Sequence, residues 1–309
     1  MNQRGASITR ARRGRVGAAA VIAAMITAPL GEAQSRPSAK AAPPAVSRRA
    51  PVAVAGPREP SPRPAKRTVV IDAGHGGPDR GMTGMTSRRA RIYEKDIALQ
   101  VATKVAARLE NAGTNVVMTR TRDTLIALAD RGKIANREGG TLFVSVHVNA
   151  ANPKWRDPAA ARGFETYFLA EAKTDDDRRV AAIENEVVRF ETDAEVPRDD
   201  PLGMMLSDMA QNEYLRESSE LAQTIQTRMR GVHPGPSRGV KQAGFMVLVK
   251  AFMPSVLVEI GFGTNRSDAD WIASSAGQAR LADAIATGVL DYLARWERRV
   301  SGGSSATGK

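Results

Sequence analysis

From Thr68 onward the chain alternates short runs of consecutive apolar residues with longer segments of helical periodicity. A strand that is apolar at every position must be buried on both faces, and such strands belong to parallel sheets sandwiched between helices. Thr68-Val-Val-Ile-Asp72 is the first run, and it ends in Ala-Gly-His-Gly-Gly, which reads as a strand entering a loop. Glu94 to Glu110 sets Ile97, Val101, Val105 and Leu109 on one helical face and closes with Asn111-Ala-Gly113. The same reasoning predicts strands at 115–119, 142–148, 163–169, 245–249 and 255–260. It predicts helices at 125–138, 174–195, 202–229, 268–273 and 276–299. The expected fold class is α/β, a single domain over residues 68–299 with a mainly parallel central sheet flanked by helices.

The segments outside this domain read differently. Residues 1–33 have the plan of an export signal: Arg10, Arg12, Arg13 and Arg15, then the apolar run Val16–Leu30, then small residues in Gly31-Glu-Ala33. The run is shorter than the roughly 20 residues a membrane helix needs, so no stable membrane insertion is expected after signal removal. Arg12-Arg13 leaves both the Sec and the twin-arginine routes open, and the expected destination is the periplasm. Residues 34–67 carry eight prolines and eight Lys/Arg, the composition of a disordered Pro/Ala/Arg-rich linker. Residues 300–309 read as a disordered Gly/Ser-rich tail. The net charge of +12 is concentrated here. Residues 1–67 hold 13 Lys/Arg against two Asp/Glu, and residues 68–309 hold 32 against 31. The folded part is nearly neutral, so nucleic acid is not an expected partner. The absence of cysteine excludes disulfides, thiolate metal sites and a thiol nucleophile.

Three histidines limit where imidazole chemistry can occur. His75 directly follows the first strand, and His147 lies in the strand Ser145-Val-His-Val-Asn149. Open α/β sheets place their sites at the carboxyl ends of strands, where both residues are expected. Glu94 opens the first helix, a position where a carboxylate also complements the helix dipole. Glu259 stands in the otherwise apolar strand Val256-Leu-Val-Glu-Ile260, and an ionised carboxylate there is costly unless paired or placed at the edge of a site. Two imidazoles and a carboxylate form a recurrent catalytic zinc set, and a second carboxylate can move protons beside it. A serine hydrolase built on Ser145 and His147 lacks the GxSxG elbow.

Six motifs occur in order: Val70-Ile-Asp-Ala-Gly-His-Gly-Gly77, Glu94-Lys-Asp96, Thr119-Arg-x-x-Asp123, Leu128-Ala-Asp-Arg131, Ser145-Val-His-Val-Asn-Ala150 and Pro254-Ser-Val-Leu-Val-Glu-Ile-Gly-Phe262. Together they resemble the zinc-dependent N-acetylmuramoyl-L-alanine amidases of the AmiC type, over roughly residues 68–297. The resemblance implies that His75, Glu94 and His147 bind Zn2+ and that Glu259 is catalytic. It implies hydrolysis of the amide between the lactyl group of N-acetylmuramic acid and L-alanine in peptidoglycan, in cell-wall remodelling and daughter-cell separation. The chain departs from the family pattern at Ile260 and at Gly263-Thr-Asn265. Many relatives carry an N-terminal β-sandwich module, where only the linker is expected here. Division-site relatives carry an inhibitory helix displaced by an activator, typically a LytM-domain protein. The insert at about 171–200 resembles it at Ile183-Glu-Asn-Glu-Val187, which makes Glu184 the expected zinc cap and Glu186 the fallback. The other reading is a non-catalytic cell-wall binding or regulatory protein on this fold, which would require loss of a ligand or of the base.

Overall fold

All six residues of β1 (Thr68–Ala73) are buried, and the strand pairs on both sides, as its continuous apolar run requires. The structure is a computed structural model that describes residues 67–191 and 201–304, with only the backbone described at 201–213 and 302–304. The expected signal peptide, nearly all of the linker, the end of the insert and the last residues of the tail lie outside the described residues. After β1 come the short strands β2 (Thr83–Met85) and β3 (Arg91–Tyr93), then α1 (Glu94–Asn111), β4 (Asn115–Met118), α2 (Leu128–Arg137) and β5 (Leu142–Asn149). The chain continues with β6 (Phe164–Leu169), α3 (Asp175–Asn185), a 3-10 segment at Glu186–Phe190, and α4 (Pro201–Arg230). It ends with β7 (Ser237–Ala243), the single turn α5 (Met246–Val249), β8 (Ser255–Phe262), α6 (Arg266–Ala273) and α7 (Ser275–Ser304).

Six strands form one sheet in the order β4-β1-β5-β8-β6-β7. The first four are parallel, and β6 runs antiparallel to β8 with β7 parallel to it. The period of two divides the strands between two cores. Val69, Ile71, Val144, Val146, Val256 and Val258 face α1, α4 and α7. Val70, Phe143, Leu257 and Tyr167 face α2, α3 and α5. α1 buries Ile97, Val101, Val105 and Leu109, and each such side chain contributes about 1.5–3 kcal/mol relative to exposure.

Several expected elements change. The apolar run Phe245–Val249 is a helical turn, not a strand, and the last sheet strand is instead Ser237–Ala243. The helix expected to run to 195 ends at Asn185 and gives way to 3-10 geometry. α7 continues through Ser304, past the point where the tail was expected to begin.

On the α2/α3/α5 face the side chains turn from apolar to polar toward the carboxyl ends of the parallel strands. Asp72 is fully buried, with Arg131 Nη1 at 2.8 Å, Ser145 Oγ at 2.6 Å and Thr119 Oγ1 at 2.6 Å donating to it. Burial by itself raises the Asp72 pKa, but Arg131 and the two hydroxyls outweigh it and hold the carboxyl below its usual value. Its stabilising effect is therefore complete above the unfolded carboxyl pKa of about 3.9 and is lost as pH falls through the lower folded value. Asp72→Asn leaves the Arg131 guanidinium buried without its counter-charge. The expected cost is about 3–5 kcal/mol, read as a fall in Tm of roughly 10 °C near neutral pH. An unchanged Tm would remove this pair from the fold's supports.

Candidate active site

The polar end of that sheet face is where the chemistry-bearing residues meet. His75 follows β1 in a left-handed conformation, with φ of 60°. Such backbone costs energy in a non-glycine residue and has to be held by its surroundings. Two buried arginines hold it. Arg131 donates to the carbonyls of Ala73 and His75, and Arg120 donates to those of Ala73 and Gly74. These arginines give the TRxxD and LADR motifs a structural role. Asp123, in the first of them, accepts from Gly77 N and from Lys95 Nζ. Gly74 is required for close approach, because a Cβ there would lie 2.5 Å from His147 Nε2.

Glu94 is the first residue of α1 and is almost fully buried. Its Oε2 accepts from Met82 N at 2.8 Å and its Oε1 from Val148 N at 2.8 Å. The remaining reach of Oε1 is toward the histidines, 3.0 Å from His75 Nε2 and 3.0 Å from His147 Nδ1. Glu184 of α3 completes the group, with Oε2 3.0 Å from His75 Nε2 and 2.8 Å from His147 Nδ1. Ligand atoms of these four buried residues all lie within 4.8 Å of one another. The fallback residue Glu186 is exposed and faces Arg189 instead.

The charges in this group are interdependent. Burial pushes the imidazole of His147 down, but Glu184 and Glu94 outweigh it and raise it to about 9. His75 is raised well above its ordinary value in the same way, against burial, by Glu94, Glu184 and Asp79. Burial raises Glu94, but the imidazoles win and hold it far below the carboxylate range. Despite this proximity, His75 Nε2 and Glu184 Oε2 are buried without a hydrogen-bond partner. Two nitrogen and two oxygen donors converging on one point, with orphaned atoms among them, fit a tetrahedral N/O metal site. The donor set can hold a metal ion.

Asp79 is a supporting residue the sequence reading passed over. Its Oδ2 lies 2.7 Å from His75 Nδ1, which orients the imidazole with Nε2 toward the group. The spacing His75-x-x-x-Asp79 on a glycine-rich loop was the available signal. Glu259 lies directly beside His147 in the β5–β8 register and shares its sheet face. It is fully buried, and neither carboxylate oxygen has a hydrogen-bond partner. Burial first, then the carboxylates of Glu184, Glu94 and Glu165, raise its pKa well above the ordinary value. Ser145 gives its hydroxyl to Asp72, so no serine–histidine pair forms. The third histidine, His233, packs on Phe164 away from the group and accepts from Gly235 N. Among the described residues no helix is long and apolar enough to cross a membrane.

Comparison with known proteins bears on this geometry. Residues 69–291 match the family model described as N-acetylmuramoyl-L-alanine amidase. The amidase AmiA of Salmonella typhimurium is 34% identical over 232 residues, covering 74% of this chain and 77% of AmiA. An N-acetylmuramoyl-L-alanine amidase from Clostridium difficile 630 superposes with a TM-score of 0.54 at 32% identity, covering 74% of this chain and 97% of that one. AmiC2 of Nostoc punctiforme does so with 0.53 at 30% identity, over 74% and 98%. The match covers every strand of the sheet, all but Thr68 of β1, and every residue of the four-donor group, and the chain belongs to the N-acetylmuramoyl-L-alanine amidase family.

Proposed function

We propose that this chain is a zinc-dependent peptidoglycan amidase that cleaves the bond between the lactyl group of N-acetylmuramic acid and L-alanine, and that α3 holds it closed. The observation that carries this reading is the convergence of His75, Glu94, His147 and Glu184 beside the unpartnered carboxylate of Glu259. In the open form His75, Glu94 and His147 would hold the ion. The chemistry zinc supplies there is Lewis acidity, which polarises a carbonyl oxygen and brings the pKa of water down to about 7. Glu259 takes a proton from the attacking water and delivers it to the nitrogen of L-alanine as the C–N bond breaks. Glu259 stands directly beside His147 with neither oxygen engaged in a hydrogen bond, which leaves it available for both transfers.

Glu184 fills the position that a catalytic zinc keeps for water and substrate. It is also the carboxylate that most raises Glu259 by charge. Its departure therefore opens the group and returns Glu259 toward its basic form. The seat of α3 is small. Val180 and Ala181 are its buried apolar anchors, joined by Val187 beyond it, while Ile183 is 38% exposed. A partner that binds the displaced form shifts the population to the open site. An activator of the LytM-domain type is the expected partner, acting in the periplasm after export through residues 1–33. A switch of this kind suits a cut restricted in place and time, such as daughter-cell separation.

The test is digestion of purified sacculi by the full chain, wild type and Glu184→Ala, with chelator and with zinc restored. Stem peptides with a free N-terminal L-alanine are the expected product. Glu184→Ala is expected to be faster than wild type by about tenfold or more, the factor for about 1.4 kcal/mol of lost closed-state preference. Cleavage of glycan or cross-link bonds instead would overturn the amidase reading, and full activity in chelator would overturn the zinc dependence. Equal and high activity in both proteins would overturn the closed state alone.

A further inference from the structure

A second ionic cluster lies on the same sheet face, one strand beyond Glu259. Glu165 of β6 is fully buried and stands directly opposite Glu259 in the antiparallel β6–β8 register. It accepts from Asn149 Nδ2 at 2.6 Å and Tyr167 Oη at 2.9 Å. Its other oxygen pairs with Arg238 Nε at 2.8 Å and Lys241 Nζ at 2.8 Å. Two residues three apart in a regular strand would point to opposite faces. Here the β6–β7 register slips between Phe164 and Thr166, and Gly239, with φ of 89°, takes up the extra position. The bulge puts Arg238 and Lys241 on one face, at Glu165.

Glu165 neutralises one of these two cations. The other charge is met by α3, the helix that carries Glu184. Asp177 and Glu184 lie on one buried face of α3, two turns apart. Asp177 Oδ1 is 3.3 Å from Lys241 Nζ, and Asp176 Oδ2 is 3.5 Å from Arg238 Nη2 and 4.0 Å from Lys241 Nζ. These contacts are longer than the pairs to Glu165. The cations are thus anchored by the sheet, and α3 only visits them. When α3 leaves, the half-buried pair loses the carboxylates of Asp176 and Asp177 and remains beside Glu259. Trp155 and Phe262 flank Arg238, with ring centroids 5.9 Å and 5.0 Å from its guanidinium carbon.

We infer that Arg238 and Lys241 form a carboxylate subsite that Asp176 and Asp177 fill in the closed form and that the stem peptide fills in the open form. The carboxylate it takes is that of the second stem residue, the first anionic group beyond L-alanine. Directly opposed strand positions lie about 4.5–5.5 Å apart, so the subsite adjoins Glu259. Charge-assisted bonds to a fork and an ammonium then orient the scissile amide. The helix and the substrate compete for the same two cations, so displacement of α3 is also what uncovers the binding determinant.

This rests on the amidase reading, and the experiment separates the two. Full-length Glu184→Ala is assayed on two muramoyl tripeptides that differ only in whether the carboxylate of the second residue is free or amidated. The free carboxylate is expected to give the lower KM. Adding Lys241→Met, or Arg238→Gln, is expected to raise KM about 10–100-fold on the free form, the range for a lost charged hydrogen bond. The rise on the amidated form should be clearly smaller, so that discrimination between the two substrates falls. Equal KM for the two substrates in the parent overturns the subsite, a result that needs no second variant to fold. A rise in KM of equal size on both substrates assigns the cations a structural role and also overturns it. Absence of cleavage of either substrate overturns the amidase reading and this inference with it.

Discussion

Glu259→Gln, made in the full chain with Glu184→Ala so that there is activity to lose, is expected to lower kcat by about 10²–10⁴-fold while zinc content stays unchanged. The substitution is nearly isosteric. No hydrogen bond is broken, since neither oxygen has a partner. The residue sits at 0% exposure beside Glu94 and Glu165, which both remain in this background, so the ionised form is costly to the fold. Gln removes that cost, and Tm should hold or rise as activity collapses. Opposite movement of stability and turnover is the signature of a group kept for chemistry. Near-normal turnover with normal zinc would move the proton-transfer role elsewhere.

His147→Ala is expected to empty the metal site and, when combined with Glu184→Ala, to bring sacculus hydrolysis to background. The imidazole supplies Nδ1, which faces both Glu94 and Glu184. Without it, two buried carboxylates share a space with only His75 between them. Metal analysis should fall from about one zinc per chain to none, and adding zinc should not restore turnover. The loosened charge balance should also free α3, which limited proteolysis between β6 and α4 would report. A folded His147→Ala protein with full zinc occupancy would remove this residue from the metal site.

The sequence predicts the interior strands of the sheet and the edge strand β4, and misses β7 and the short strands β2 and β3. β1, β5 and β8 are apolar at nearly every position and lie in the middle of the sheet. β7 is an edge strand, Ser-Arg-Gly-Val-Lys-Gln-Ala, with only Ala243 buried, so it carries no strand signal. The apolar run that follows it is a single helical turn, and five apolar residues do not distinguish the two states. β2 and β3 are three residues each and bury one residue apiece. The antiparallel direction of β6 depends on where the chain goes next, which residue pattern does not encode. In the site, the strand-end positions of His75 and His147 and the isolated acid Glu259 were legible from chemistry. Glu94 was ambiguous on position, and Glu184 came only from family resemblance, since a helical glutamate in a polar segment has no distinguishing pattern. Glu165 met the criterion that singled out Glu259, a lone acid in an apolar strand, and went unremarked. Arg238 and Lys241 could not have been paired from sequence, because the bulge that aligns them reverses the alternation.

The carboxylate that completes the donor group lies on the same chain as the histidines it faces, between β6 and α4. Its binding is unimolecular. A tethered group acts at a local concentration on the order of millimolar, set by chain connectivity. Diluting or concentrating the enzyme leaves that concentration unchanged. If α3 holds the enzyme closed as proposed, the fraction of molecules open at rest is the same at every expression level. Output scales linearly with enzyme copy number, while the threshold for switching is set by the abundance and affinity of whatever displaces α3.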